Sequence, residues 1–240
     1  MLSSLEQRLE LIRKTGIEIV IPISFSEELS KLSPHIFMNT LKTQLQMTHF
    51  VAGKDVAIGH NRSGDLETLT HIGKEIGYTV ESVDQFNLGI NSVRSTTIRD
   101  CLSKGDLHLA NQLLGRYFSL EGSVVHGEGV GQELLGYPTA NISIRSSQAV
   151  PLDGIYATLF KNGEKIFPSA TSIGKKPTFH DDAPLTIETF IFDFNGNLYE
   201  QNVEIQFVEL IRGQEKFESV NLLVKAIKND VLEAKRILGA

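Results

Sequence analysis

One cysteine and no tryptophan stand in the 240 residues. A lone thiol, Cys101, cannot build a disulfide framework or a cysteine-based zinc cluster, so disulfide-stapled secreted scaffolds and zinc ribbons are excluded. Basic charge is also scarce. Lys and Arg number 23 against 29 Asp and Glu, a formal net charge of −6, which is the wrong sign for a chain that neutralises a nucleic-acid backbone. Long apolar runs are missing too: residues 17–23 are the longest, they contain Glu18 and Pro22, and a spanning helix needs about 20 apolar residues. The opening MLSSLEQRLELIRKTG is charged and amphipathic, unlike a signal peptide. No internal repeat or low-complexity stretch is visible. These absences predict a cytoplasmic protein of a reducing compartment, with no membrane or nucleic-acid partner; oligomeric state is left open.

What is present is ordinary globular composition, 41% hydrophobic and 22% charged, in a length that allows one large domain or two small ones. Two rhythms divide the chain. Up to residue 116, helix and strand alternate. Ser3 with Glu6 forms a capping-box signature ahead of Leu5, Leu9 and Ile12, and Gly16 stops that helix. IEIVIPI (17–23) reads as a buried strand. Ser33-Pro34 opens a helix to about Met47, and a short strand, HFVAG, follows. Residues 65–76 are helical, 78–83 form another strand, and Ser95 and Asp106 start two short helices, the second ending at Gly115. Alternation of this kind predicts a parallel sheet with helices on its faces, a doubly wound α/β module.

From 117 onward the pattern is β. Strands are expected near 118–126, 154–162, 165–174, 186–194 and 198–210, with turn signals at Asn162-Gly163 and Asn195-Gly196. This spacing predicts an antiparallel barrel or sandwich. A closing helix carries the apolar stripe Phe217, Val220, Val224, Ile227, Val231 and Ile237, fit to dock on it.

Two stretches bear chemistry. HGEGVGQELLGYPTANISI (126–144) places Gly127, Gly129, Gly131 and Gly136 where backbone NH groups can surround an anion, yet no Gly-Lys-Ser/Thr follows as in the common phosphate loop. Pro138 stiffens the chain before Thr139 and Asn141, which share a face by strand alternation. A hydroxyl and an amide oxygen together suit Mg²⁺ bound to a nucleotide; a glycine-rich hairpin with a Thr/Asn pair satisfying local backbone is the other reading. In LTIETFIFDF (185–194), alternation sets Glu188 on one face with Phe190, Phe192 and Phe194. That carboxylate either ends a buried stretch or serves as a general base. His126 is read as a strand-end residue satisfied by backbone or as a phosphate contact, Cys101 as a small packed residue, and Asp181-Asp182 as a solvated loop.

The segments GSVVHGEGVGQELLGYPTANI, PLDGIYA, SIGKKPTF, IETFIFDF and IRGQEKF together resemble riboflavin kinase. GKDVAIGHNRSGD and VRSTTIRDCLSKGDLHLANQLLGR resemble the FMN adenylyltransferase module of bacterial bifunctional riboflavin kinase/FAD synthetases. The resemblance implies ATP-dependent conversion of riboflavin to FMN. Thr139 and Asn141 would hold Mg²⁺ and ATP phosphates, with Gly127, Gly129, Gly131 and Gly136 wrapping the nucleotide. Glu188 would activate the riboflavin hydroxyl, with Arg212 and Phe217 beside the flavin. Gln132 and Gln214 stand where the family tends to have arginine and an acid, and Arg94 where it usually has serine. In the adenylyltransferase module, Gly53, Asp55, Arg62, Gly64, Ser95, Thr96 and Arg99 match the segments that contact its substrates. The family's His-x-Gly-His turn, whose histidines stabilise phosphates during adenylyl transfer, is absent from this sequence. The expectation is therefore a truncated adenylyltransferase-like module over 1–116 that does not make FAD, and a riboflavin kinase module over 117–240. The alternatives are a bifunctional enzyme whose first strand lies upstream of this sequence, and a flavin- or nucleotide-binding protein without catalysis.

Overall fold

Capping and turn residues place most of the elements in the computed structural model, which describes residues 1–127, 138–145, 147–175 and 185–240. Contacts divide the chain into two units, Ile17–Ser92 on one hand and Met1–Gly16 with Val93–Ala240 on the other. Helix α1 (Leu5–Lys14) begins one residue later than the sequence suggests. Its N-cap is Ser4, and the capping box is closed by Gln7 rather than by Ser3 and Glu6. The choice follows from tertiary partners: Gln7 Nε2 also donates to Ser119 Oγ at 3.0 Å, and Ser4 Oγ donates to Glu121. The Ser3 hydroxyl is occupied instead as acceptor for Arg116 Nη2 at 3.1 Å. The buried face of α1 is thus Ser3, Ser4 and Gln7, while Leu5 and Ile12 of the expected apolar stripe are exposed.

The unit Ile17–Ser92 contains α2 (Glu27–Ser30), α3 (Pro34–Leu45), β1 (His49–Gly53), a 3₁₀ turn (His60–Arg62), α4 (Leu66–Ile76) and β2 (Thr79–Val83), then a hairpin of β3 (Asn87–Leu88) and β4 (Asn91–Ser92). Ser33 caps α3 with Pro34 in its first turn, Asp65 caps α4, and Gly77 ends α4 at φ +84°, a left-handed conformation that glycine adopts without strain. β1 and β2 pair in parallel from His49↔Thr79 to Gly53↔Val83, and Met38, Leu69, Ile72 and Tyr78 form the core beside them. The parallel pairing and flanking helices match the pattern in the sequence. The strand expected over 17–23 does not form. Its odd-numbered side chains, Ile17, Ile19, Ile21 and Ile23, are exposed, Ile19 to 76%. Strand propensity reflects fit to a half-buried pleated surface, and among the described residues no strand pairs with this segment.

In the other unit, α5 (Ser95–Ser103) and α6 (Leu107–Leu114) precede a closed antiparallel barrel of β5 (Phe118–Val125), β6 (Thr139–Ile144), β7 (Gly154–Asn162), β8 (Lys165–Lys175), β9 (Leu185–Ile191) and β10 (Asn202–Gly213), in the order β10-β5-β6-β9-β8-β7. Closure removes every sheet edge. Asn162-Gly163 makes the expected tight hairpin, with Gly163 at φ +59°. Asn195-Gly196 does not. β9 stops at Ile191, Asp193 turns left-handed at φ 52°, and β10 begins only at Asn202 between β5 and β7, so this connection crosses the barrel instead of joining neighbours. The shared aromatic face ends with it: Phe190 and Phe192 pack on the outside, whereas Phe194 packs against the interior core.

The interior is filled by Phe118, Leu120, Tyr156, Phe160, Ile173, Ile205 and Phe207, with Tyr156 edge-on to Phe207 at 5.3 Å. Ile98, Leu102, Leu107 and Leu113 of α5 and α6 join that core. Four buried hydroxyls, Thr158, Ser169, Thr171 and Thr189, satisfy one another in a chain of hydrogen bonds at 2.8–2.9 Å. Helix α7 (Val220–Leu238) lies on the outer face, where Ala234 meets Ala157, Ala170 and Phe192; small side chains let it approach closely. Phe217, the first residue of the expected helical stripe, precedes this helix. No described helix is long and apolar enough to cross a membrane.

Candidate functional site

Pleating decides which side chains reach the site. Ile142, Ile187, Thr189, Thr171 and Ile173 point into the barrel and are buried, so their neighbours on each strand point outward. Cross-strand register then lines up one outer row: Asn141 opposite Glu188, Glu188 opposite Ser172, Ser172 opposite Ile155 and Ile155 opposite Arg212. Residues paired this way share a face with Cβ atoms about 4.5–5.5 Å apart. Thr139 sits two residues before Asn141, and its Oγ1 donates a long 3.5 Å hydrogen bond to Glu188 Oε2. Thr139, Asn141 and Glu188 are all half-buried. They present a hydroxyl, an amide and a carboxylate, the oxygen-rich set that a hard divalent cation prefers. Among the described residues no group of three His, Cys, Asp or Glu could hold a metal.

Gly127 rests against the side chain of Asn141. A Cβ at that position would lie 2.1 Å from Asn141 Nδ2 and 2.6 Å from its Cγ, so a larger residue would push the Asn141 amide out of this position. His126, just before it, is exposed and stacks on Tyr199 with ring centroids 3.8 Å apart. Gly129, Gly131, Gln132, Gly136, Asp181 and Asp182 lie outside the described residues.

The far end of the row is an ion pair. Arg212 Nε and Nη2 donate to the two oxygens of Asp230 at 2.8 and 2.7 Å, and the guanidinium carbon is 5.5 Å from the Phe217 ring centre. The hydrogen bonds that Arg212 donates to Asp230 hold its pKa above the ordinary value. Arg212 and Phe217 therefore lie against each other. Asp230 was not anticipated in the sequence; its signal is an acid beside Val231 in an otherwise apolar stripe, and it is only 6% exposed. Ser172 opens SIGKKPTF and Gln214 stands in IRGQEKF, but neither stretch signals that the two meet next to Glu188. Cys101 is buried in α5, and burial pushes its thiol pKa up, in keeping with a packed, protonated side chain.

The residues matched to the adenylyltransferase segments fall into both units. Gly53 ends β1, with Asp55 and Arg62 exposed on the following loop. That loop is pinched by the Ile58–Gly64 bridge, and a Cβ on Gly64 would strike Ile58 O and Pro34. Ser95 and Thr96 are exposed in the first turn of α5, where Arg99 Nη2 donates to Thr96 Oγ1 at 3.3 Å. Arg94, the N-cap of α5, makes no side-chain cap bond.

A family model for riboflavin kinase matches residues 114–238, and one for FAD synthetase matches residues 1–97. The chain is 34% identical over 230 residues to a bifunctional riboflavin kinase/FMN adenylyltransferase of Listeria monocytogenes, covering 95% of this chain and 72% of that one. It is 32% identical to the enzyme of the same description from Bacillus subtilis, covering 98% and 75%. A crystal structure described as a macrolide-efflux protein from Streptococcus pneumoniae superposes with a TM-score of 0.87 at 28% identity, covering 98% of this chain and 75% of that one. With a riboflavin kinase barrel in its second half and FAD synthetase sequence in its first, the chain belongs to the bifunctional riboflavin kinase/FMN adenylyltransferase family.

Proposed function

We propose that the outer row of the barrel is where the γ-phosphoryl group of ATP passes to the terminal ribityl hydroxyl of riboflavin, giving FMN and ADP. The observation that supports this reading is Glu188 held between Asn141 and Ser172 and within reach of Thr139. Glu188 takes the hydroxyl proton as the new oxygen–phosphorus bond forms, and the bond between Pγ and the bridging oxygen breaks to leave ADP. Thr139 and Asn141 are the residues that would hold Mg²⁺. When bound with ATP, that ion supplies neutralisation of phosphate charge, the task a lysine performs in ordinary phosphate loops. The glycines of residues 127–136 wrap the nucleotide, and Arg212, fixed by Asp230, borders the flavin with Phe217. We place this reaction in the cytoplasm, and assign residues 1–116 and 117–240 to the adenylyltransferase-like and kinase modules.

Adenylylation of FMN is a second reading, favoured by the FAD synthetase match over residues 1–97. Its residues would be Gly53, Asp55, Arg62, Ser95, Thr96 and Arg99. Incubating the chain with riboflavin, ATP and Mg²⁺ and resolving the flavins by chromatography separates the readings. FMN alone supports the kinase, FMN with FAD supports both activities, and bound flavin without either product contradicts catalysis.

A further inference from the structure

Gln214, immediately after β10, lies across β8 beside the proposed base. Gly174 makes the room: a Cβ there would stand 2.8 Å from Gln214 Nε2 and 3.1 Å from its Cδ. Gln214 Nε2 is 2.9 Å from Ile173 O and 3.1 Å from Ser172 Oγ. A backbone carbonyl only accepts, so the atom facing it is the amide nitrogen, and its two protons go to Ile173 O and Ser172 Oγ. Ser172 Oγ is therefore an acceptor in this contact, and its own proton must point elsewhere.

Its surroundings leave one evident direction. Thr171 and Ile173 are buried inside the barrel, so Ser172 faces outward, directly opposite Glu188 in register. On the other side of Glu188, β6 places Asn141 opposite it and the Thr139 hydroxyl 3.5 Å away, both neutral. Among charged groups further along the face, Arg212 is engaged by Asp230, and Glu215 lies 3.9 Å from the same guanidinium. Of the two residues directly opposite Ser172, Glu188 on β9 and Ile155 on β7, only Glu188 has a side chain that can accept its proton.

We propose that Ser172 is a positioning residue: clamped by Gln214, it donates its hydroxyl proton to Glu188 and fixes the orientation of that carboxylate toward the substrate hydroxyl. The proposal rests on the reading of Glu188 as general base. It assigns Gln214 a task in the same assembly, tying the segment after β10 to the catalytic strand. A misdirected base lowers turnover without weakening ground-state binding, because the geometry matters most as the proton moves.

The test is a comparison of kcat and KM in the full chain for Ser172→Ala, Ser172→Thr, Gln214→Ala and Glu188→Gln. Ser172→Ala is expected to lower kcat by about 10- to 100-fold while KM for riboflavin and for ATP stays within about twofold. Ser172→Thr keeps the hydroxyl and should recover most of the loss. Gln214→Ala, outside the strand, should lower kcat in the same direction without a change in melting temperature that would signal misfolding. If Glu188→Gln is inactive but Ser172→Ala turns over like the parent, or if threonine fails to rescue, the positioning role is overturned. If Glu188→Gln itself retains full activity, the base assignment fails first, and the proposal with it.

Discussion

The Arg212–Asp230 pair ties the last helix to the barrel, and its removal should be measurable. Asp230 projects from α7, almost fully buried, and receives two hydrogen bonds from the guanidinium at 2.8 and 2.7 Å. Charge-assisted hydrogen bonds of this kind contribute roughly 1.5–3 kcal/mol each before the cost of desolvating the ions is set against them. Deleting one member of a buried pair strands the other, typically at a loss of about 3–5 kcal/mol. The Arg212 side chain keeps 21% of its surface in water, so Asp230→Ala leaves a cation that solvent can partly rehydrate. Its cost should be lower, about 2–4 kcal/mol. Arg212→Ala leaves the more buried carboxylate alone and should cost about 3–5 kcal/mol.

The double variant strands neither charge, so its cost should fall short of the sum of the two singles by at least about 1.5 kcal/mol. With no tryptophan in the chain, unfolding is best followed by far-UV circular dichroism in urea. A coupling below about 0.5 kcal/mol would put the pair in the class of exposed surface ion pairs and refute the burial argument.

Three further outcomes follow from particular contacts. Gly127→Ala would drive a methyl group into the Asn141 amide, so turnover should fall at least about tenfold with little loss of fold stability, as checked by FMN formation and a thermal melt. Arg94→Ser should stabilise α5 by about 1 kcal/mol, because serine can cap the helix where arginine makes no cap bond; a urea midpoint that does not rise would contradict this. Ile19→Ser should change stability by less than about 0.5 kcal/mol, since the side chain is exposed, whereas a buried strand would lose about 2 kcal/mol or more.

The sequence carried the barrel well because its strands are short, alternating and bounded by recognisable turns. β7 and β8 are joined at Asn162-Gly163 as the dipeptide suggests. It misled wherever pairing partners decide the outcome. Residues 17–23 have strand-forming side chains but no described partner, and Asn195-Gly196 lies between strands that are not neighbours in the sheet. α1 shows the same limit at a smaller scale: the sequence pointed to Ser3 and Glu6, whereas contacts to Ser119 and Glu121 on β5 hold the box at Ser4 and Gln7. Pleat alternation put Thr139 and Asn141 on one face, and only the family resemblance joined Glu188 to them. The roles of Ser172, Gln214 and Asp230 were not legible, because they arise from cross-strand register and from the seat of α7, neither of which has a local signature.

Glu188 is the hinge of the whole functional account, and its amide variant keeps its size while removing the base. The rate of FMN formation from riboflavin and ATP–Mg²⁺ at saturating substrate should fall by about 10²- to 10⁴-fold in Glu188→Gln, with riboflavin binding retained. A Glu188→Gln enzyme that forms FMN at the parent rate would contradict the assignment of this face of the barrel as the site of phosphoryl transfer.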